Sequence, residues 1–236
     1  ISGEGKDRRK VKGDYYLSER EEEDLRYLAE MNKPVILILN AGGPVELTDI
    51  LEQTDNIKGI LNISQLGQEG GDALADVLLG KEVPSGKLTT TWARRYEDYP
   101  ASEEYGYLNG NLEKEKYKEG IYVGYRYFDS FDKKVMFPFG FGLSYTMFEM
   151  KCCSINMEES KIRAEVQVTN TGNEYAGKEV VQIYVTLPQT ELEKEYKRLA
   201  GFAKTRLLKP GETQTLTVEI PQKQLASFNE ETHTWI

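Results

Sequence analysis

The sequence is short of the residues that metal and redox chemistry draws on. It has one histidine, His233, and two cysteines, Cys152 and Cys153, which are adjacent. A single imidazole with no cysteine nearby builds neither a zinc site nor a Cys–His dyad. The two thiols cannot staple distant segments, and a disulfide between neighbours is strained. The simpler expectation is a pair of small, semi-buried residues in a reducing setting, which favours the cytoplasm. Positive charge is also scarce: 30 Lys and Arg against 39 Asp and Glu give a net charge of −9. Nucleic acids are held by clustered cations that neutralise phosphates, so no nucleic-acid partner is expected. Long apolar runs are missing as well. The longest, Val35 to Leu39, is far short of the ~20 residues that span a bilayer, and no membrane partner is expected. There is no Ser–His–Asp set, no metal-ligand cluster and no GxxxxGK phosphate loop, so neither a metal nor a cofactor is expected.

What remains is an ordinary globular balance in 236 residues, enough for one large domain or two small ones at roughly 150 residues each. Ser18 followed by Glu21 forms a capping-box signature, with acids from Glu19 to Asp24 suited to a helix N-terminus. The acidic run therefore reads as a solvated first turn. Leu25, Leu28 and Met31 give this helix an apolar stripe, and Asn32-Lys33-Pro34 ends it. Pro34 to Asn40 is continuously apolar, as in a strand of a parallel sheet buried on both faces. A short helix over Val45–Leu51, a strand over Ile57–Ile63 and a helix after Gly67–Gly71, closed by Gly80, continue the alternation. Alternation of this kind predicts an α/β domain with a parallel sheet. The Tyr- and Glu-rich stretch from Tyr96 to Gly120 is long for a plain loop.

Near Gly140 the pattern changes. Ile162, Ala164, Val166 and Val168 alternate with polar residues, and Asn170-Thr171-Gly172 turns the chain. Short strands follow at Val180–Val185, Leu199–Lys204 and Leu216–Ile220, with a strand-like end at Thr232–Ile236. Short strands separated by turn signals predict an all-β sandwich of immunoglobulin or fibronectin III type. No Cys–Trp–Cys framework is present, which favours the fibronectin variety. The domain boundary is expected at residues 146/147, giving 1–146 and 147–236.

Candidates for chemistry are few. Gly67-Gln68-Glu69-Gly70-Gly71 at a helix start could cradle an anion, though a tight strand-to-helix turn explains it better. Phe137-Pro138-Phe139-Gly140-Phe141-Gly142 reads as an ordered linker packed between domains rather than a sugar platform. Ser2-Gly3-Glu4-Gly5 holds a glutamate between two glycines, from where its carboxyl can reach into a cleft. Burial could raise such a carboxyl toward neutrality and make it a general acid.

Several segments taken together resemble the C-terminal half of a glycoside hydrolase family 3 β-glucosidase. These are SGEGKDR (2–8) with KGD (12–14), GQEGGDALADVLLGKEVPSGKL (67–88), EGIYVGYRYFD (119–129), FPFGFGLSYT (137–146), VTNTGNEYAGKEVVQIYV (168–185) and LKPGE (208–212). The resemblance implies an α/β sandwich domain followed by a fibronectin III-like domain, each incomplete here, at its N- and C-terminal end respectively. It also implies a barrel domain of the same polypeptide as partner, with an aspartate nucleophile on the barrel. Glu4 matches the family's acid/base position, and Glu69 is a weaker alternative with a structural setting. The implied activity is retaining, exo-acting hydrolysis of terminal β-D-glucosyl residues from β-glucosides or oligosaccharides. A β-xylosidase or arabinofuranosidase specificity, or a non-catalytic carbohydrate- or protein-binding module, is the alternative. This chain by itself is expected to be inactive, and a homodimer is compatible with all of these features.

Overall fold

A computed structural model describes residues 9–104, 113–114 and 116–236. It divides into two compact units. The described residues up to Ala75, with Thr90–Gly124 and Lys133–Pro138, make an α/β unit. Asp76–Thr89, Tyr125–Asp132 and Phe139–Ile236 make a unit dominated by β-structure.

The α/β unit opens with helix α1, Glu19–Glu30, behind the expected capping box. The Glu21 amide donates to Ser18 Oγ and the Ser18 amide donates to the Glu21 carboxylate, at 3.3 and 2.8 Å. Two orphan donors of the first turn are thereby satisfied. The helix stops where Asn32 adopts φ 51°, a left-handed turn that asparagine tolerates. Strand β1, Val35–Leu39, pairs in parallel with β2, Ile57–Asn62. The crossover between them carries α2, Thr48–Gln53, three residues later than the sequence pattern suggests. Val45 and Leu47 are buried, but in the irregular run that leads into the helix.

One expectation needs correcting. β1 is not buried on both faces: Val35, Leu37 and Leu39 are covered, while Ile36 and Ile38 are 56% and 37% exposed. A continuous apolar run is matched only if layers cover both faces. Among the described residues this sheet has two strands and one covered face.

Helix α3, Gly70–Leu78, follows a turn too tight for a side chain. A Cβ at Gly70 would lie 2.3 Å from Leu66 Cβ. Close packing against Leu66 thus accounts for Gly70, while a Cβ at Gly67 or Gly71 would meet nothing within 4 Å. Gly80, at φ +71°, closes the helix by donating to the Val77 carbonyl. Two short antiparallel strands, β3 (Trp92–Ala93) and β4 (Val135–Phe137), complete this unit.

In the second unit, α4 (Tyr125–Ser130) precedes β5 (Phe148–Met157), β6 (Lys161–Asn170), β7 (Val180–Val185), β8 (Arg198–Lys204) and β9 (Thr213–Pro221). β5, β6 and β9 form one antiparallel sheet, in that order, and β7 pairs with β8 in another. Val166, Val168, Val181, Leu208 and Leu216 form a core between the sheets, continued by Ala200, Val218 and Ile220. The period-two pattern of β6 is realised, with Ala164, Val166 and Val168 all buried. A Cβ at Gly201 on β8 would come within 2.7 Å of Val218 on β9, so glycine sets how closely the two sheets approach.

Asn170, fully buried at the end of β6, ties four segments together. Its amide nitrogen donates to the Tyr175 and Leu208 carbonyls at 2.9 and 2.8 Å. Its amide oxygen accepts from Thr146 Oγ1 at 2.7 Å and from the Gly172 amide at 3.0 Å. The segment Ser85–Leu88 is laced to 140–142: Leu88 donates to Phe141 and Gly140 donates to Leu88, at 2.8 and 2.7 Å. A Cβ at Gly142 would meet the Gly86 carbonyl oxygen at 2.3 Å. Lys87 is anchored to Glu179 and to the Gly142 carbonyl, both at 2.7 Å.

β5 is a strand that the alternation does not reveal, and Cys152 and Cys153 sit on it. Both thiols are free and exposed rather than semi-buried, which corrects the sequence expectation. Side chains leave a strand from its two faces, and neither hydrophobic cluster of this unit takes in either cysteine.

Candidate functional site

Glu4, with Ser2, Gly3 and Gly5, lies outside the described residues. The description begins at Arg9, where a compact loop anchors the chain. The Val11 and Tyr15 amides donate to the Arg9 carbonyl, at 2.7 and 3.2 Å, and Gly13 donates to the Tyr16 carbonyl at 2.9 Å. The Arg9 amide donates to Asp14 Oδ2 at 3.0 Å, and Asp14 is 4% exposed. Gly13 stands at φ +79°, in the left-handed region that admits glycine readily. The Lys-Gly-Asp motif is therefore a turn with a buried carboxylate clasp.

Below this loop the tyrosines pack edge to face. Tyr15 meets Tyr16, Tyr96 and Tyr99 with ring centroids 5.5, 4.9 and 6.4 Å away. Burial pushes the Tyr15 hydroxyl far above its ordinary range, so it stays protonated. Lys10 lies 5.1 Å from the Tyr96 ring centre and pairs with Glu97.

A groove of about 380 Å³ opens beside the loop, lined by Lys12, Tyr16, Glu46, Asp49, Arg95 and Glu97 among others. Glu46 is its hub. Its carboxylate accepts from the Arg95 guanidinium at 3.0 Å and from the Tyr96 amide at 2.9 Å. The second guanidinium nitrogen of Arg95 donates to Asp49 at 2.5 Å, and Lys12 donates to Glu22 at 3.1 Å. Opposed charges in this groove thus meet one another. Hydrogen bonds from Arg95 hold the Asp49 carboxyl below its ordinary range, and those from Lys10 do the same for Glu97. Both carboxyls are kept as anions, the wrong state for donating a proton. The arrangement fastens the segments around 9–26, 46–53 and 95–97 to one another. Glu46 was not legible as a hub from sequence; its signal is a lone acid between the buried Val45 and Leu47.

Glu69 is exposed in the turn before α3, where its carbonyl accepts the Ala73 amide at 3.1 Å. That is the setting of a turn residue. No group of three or more His, Cys, Asp or Glu side chains among the described residues could hold a metal ion. No described helix is long and apolar enough to cross a membrane.

The β unit holds a second charged cluster. Glu195, 2% exposed, accepts two bonds from the Arg198 guanidinium at 2.6 and 3.2 Å and lies 3.6 Å from Arg126 of α4. Arg198 also donates to the Gln224 and Ala226 carbonyls and to Ser227 Oγ. Tyr125 Oη accepts the Leu199 amide at 2.9 Å, and Ser130 Oγ accepts the Tyr196 amide at 2.9 Å. Much of the Gly-Tyr-Arg-Tyr-Phe-Asp stretch is thereby bound to residues 195–199.

Comparisons with known proteins find two family matches along the chain. Residues 1–125 match the glycosyl hydrolase family 3 C-terminal domain, and residues 179–236 match the fibronectin type III-like domain. Beta-glucosidase A of Butyrivibrio fibrisolvens is 42% identical over 92% of this chain, which covers 28% of that protein. The structure of beta-glucosidase 3B from Thermotoga neapolitana superimposes with a TM-score of 0.88 at 45% identity, over 97% of this chain and 32% of that one. An exo-alpha-(1->6)-L-arabinopyranosidase of Bifidobacterium breve is 34% identical over 89% of this chain, which covers 27% of that protein. The chain spans about a quarter of the length of the curated relatives it matches. With more than half of its length in the first of these matches, the chain belongs to glycosyl hydrolase family 3, whose C-terminal domain it carries together with a fibronectin type III-like domain.

Proposed function

We propose that this chain is part of a retaining, exo-acting β-glucosidase, in which Glu4 is the acid/base and a barrel domain outside the chain carries the aspartate nucleophile. The observation that supports it most is the match of residues 1–125 to the family's C-terminal domain, with Glu4 in its Ser-Gly-Glu-Gly setting at the start. Relatives named as beta-glucosidases, 42% identical and less, support the substrate class. On this reading residues 1–146 are the α/β domain and 147–236 the fibronectin III-like domain.

The chemistry follows from two carboxyls with different tasks. The aspartate attacks the anomeric carbon while protonated Glu4 gives its proton to the departing oxygen. Glu4, now a base, then deprotonates the water that releases the glycosyl-enzyme. Retention needs the two carboxyls about 5–5.5 Å apart. With the nucleophile elsewhere, the isolated chain does not turn over glycosides.

The relative named as an arabinopyranosidase favours a second reading of the glycosyl group, with the same residues in the same roles. Both readings are tested on the complete polypeptide that contains this chain. With Glu4→Ala and an aryl β-glucoside, the first step survives because an activated leaving group needs little protonation. Azide, which needs no base, then restores turnover and yields the β-glycosyl azide. Unchanged activity without azide would move the role away from Glu4. Activity on aryl α-L-arabinopyranosides with none on β-glucosides would favour the second reading.

A further inference from the structure

The two cysteines have no part in the proposed hydrolysis, yet β5 presents them in an unusual way. In a regular strand, neighbouring side chains point to opposite faces of the sheet. Here the ladder shifts: Cys152 pairs with Val166, while Ser154 pairs with Glu165 and bonds to it through its hydroxyl at 3.3 Å. Cys153 is the extra residue of a bulge, left without a partner across the ladder. β5 is the edge of its sheet, with no strand paired along its open side among the described residues. Both thiols are free and exposed. Each sulfur lies against a backbone carbonyl of its own strand, Cys152 Sγ 4.0 Å from the Ser154 oxygen and Cys153 Sγ 3.7 Å from that of Lys151.

A direct bond between the two sulfurs is disfavoured. No peptide bond in the described chain is cis. Adjacent Cα atoms are therefore ~3.8 Å apart, shorter than the ~4.4–6.8 Å that disulfides span. A centre that bridges the sulfurs through one intervening atom relaxes this constraint. Soft, thiophilic centres bind two thiolates in preference to oxygen and nitrogen donors, and among the described residues no His, Cys, Asp or Glu joins the pair as a third ligand.

We propose that Cys152 and Cys153 form a vicinal dithiol site for a soft, thiophilic centre, for which trivalent arsenic is the probe. With phenylarsine oxide the reaction balances without an oxidant. Two S–H bonds and the arsenic–oxygen bond break, two As–S bonds form, the oxygen leaves as one water carrying both thiol protons, and arsenic remains trivalent.

The test uses the whole chain and, in parallel, the complete polypeptide. Titration with a chromogenic disulfide should count two reactive thiols, and one equivalent of phenylarsine oxide should remove both. The second As–S bond is intramolecular, so Cys152→Ser or Cys153→Ser should weaken retention against a competing monothiol roughly 100-fold or more. A small dithiol should release the arsenical from the unaltered protein. Serine replaces an exposed thiol with little change of shape, and an unchanged unfolding midpoint confirms that each variant is folded. Fewer than two reactive thiols would overturn the proposal. So would a monothiol stripping the unaltered protein as readily as the serine variants.

Discussion

The strands β1 and β6 carry their apolar residues in different patterns and end in different environments. On β6, Ala164, Val166 and Val168 alternate with polar residues and are buried, the two valines in the core between the sheets. On β1, every residue is apolar, yet Ile36 and Ile38 face outward while Val35, Leu37 and Leu39 are covered. An apolar row states a demand for a partner, and the fold decides where that partner is. In the β unit the described chain supplies it; in the α/β unit the described chain supplies it for one face. The lesson extends to β5, where Met150, Ile155 and Met157 pair with Val168, Ala164 and Ile162 of β6 but stay exposed.

If the β unit is held by a core closed upon itself, the most damaging small change lies at its polar knot. Asn170→Ala removes a fully buried side chain that satisfies the carbonyls of Tyr175 and Leu208 and the hydroxyl of Thr146. The Leu208 carbonyl keeps the Gly177 amide as a donor at 3.0 Å, so the loss falls chiefly on the Tyr175 carbonyl and the Thr146 hydroxyl. The expected loss is about 3 kcal/mol, because each unsatisfied buried group costs ~1–3 kcal/mol. Urea unfolding of the chain, followed by tyrosine and tryptophan fluorescence, reads it directly. A shift no larger than that of a surface substitution would mean the four segments hold together without the knot.

Much of this was legible beforehand, for reasons that can be traced to residues. Capping at Ser18 and Glu21, the period-two row of β6 and the turn at Gly80 are local, and local chemistry is written in short stretches. β5 escaped because its bulge breaks the phase: Phe148, Met150 and Cys152 share one register, Ile155 and Met157 the next. The hub at Glu46 escaped because its partners, Arg95 and Tyr96, are some fifty positions away in sequence. Glu4 depends on resemblance to a known family alone, since a glutamate between glycines carries no local mark of its chemistry.

The buried charge of the β unit sharpens the comparison through pH. Burial alone would raise the Glu195 carboxyl, but hydrogen bonds from Arg198 and the charge of Arg126 hold it below its ordinary 4.5. A carboxyl lowered in the folded state contributes stability that is complete above the ordinary value and is lost as pH falls through the folded one. Acid should therefore weaken the unaltered chain below about pH 4.5 more steeply than Glu195→Gln. At neutral pH that variant should lose roughly 2 kcal/mol, less than the ~3–5 kcal/mol of a fully broken buried pair. Arg198 retains three other acceptors, the Gln224 and Ala226 carbonyls and Ser227 Oγ. Parallel acid profiles for the two proteins would show that the cluster is solvated.

The smallest expected effect is the most direct test of the contrast between the two strands. Val168→Ala removes two methyl groups from a fully buried position and should cost about 2 kcal/mol, counting the lost transfer energy and the cavity. Ile36→Ala removes more carbon, but from a side chain 56% exposed, and should cost under ~0.5 kcal/mol in this chain. Hydrophobicity of the residue predicts the opposite order; burial predicts this one. Equal losses would mean that something covers the outer face of β1 in solution. Ile36→Ala would then acquire a dependence on protein concentration if that cover is a second copy of the chain, and none if it comes from the chain itself.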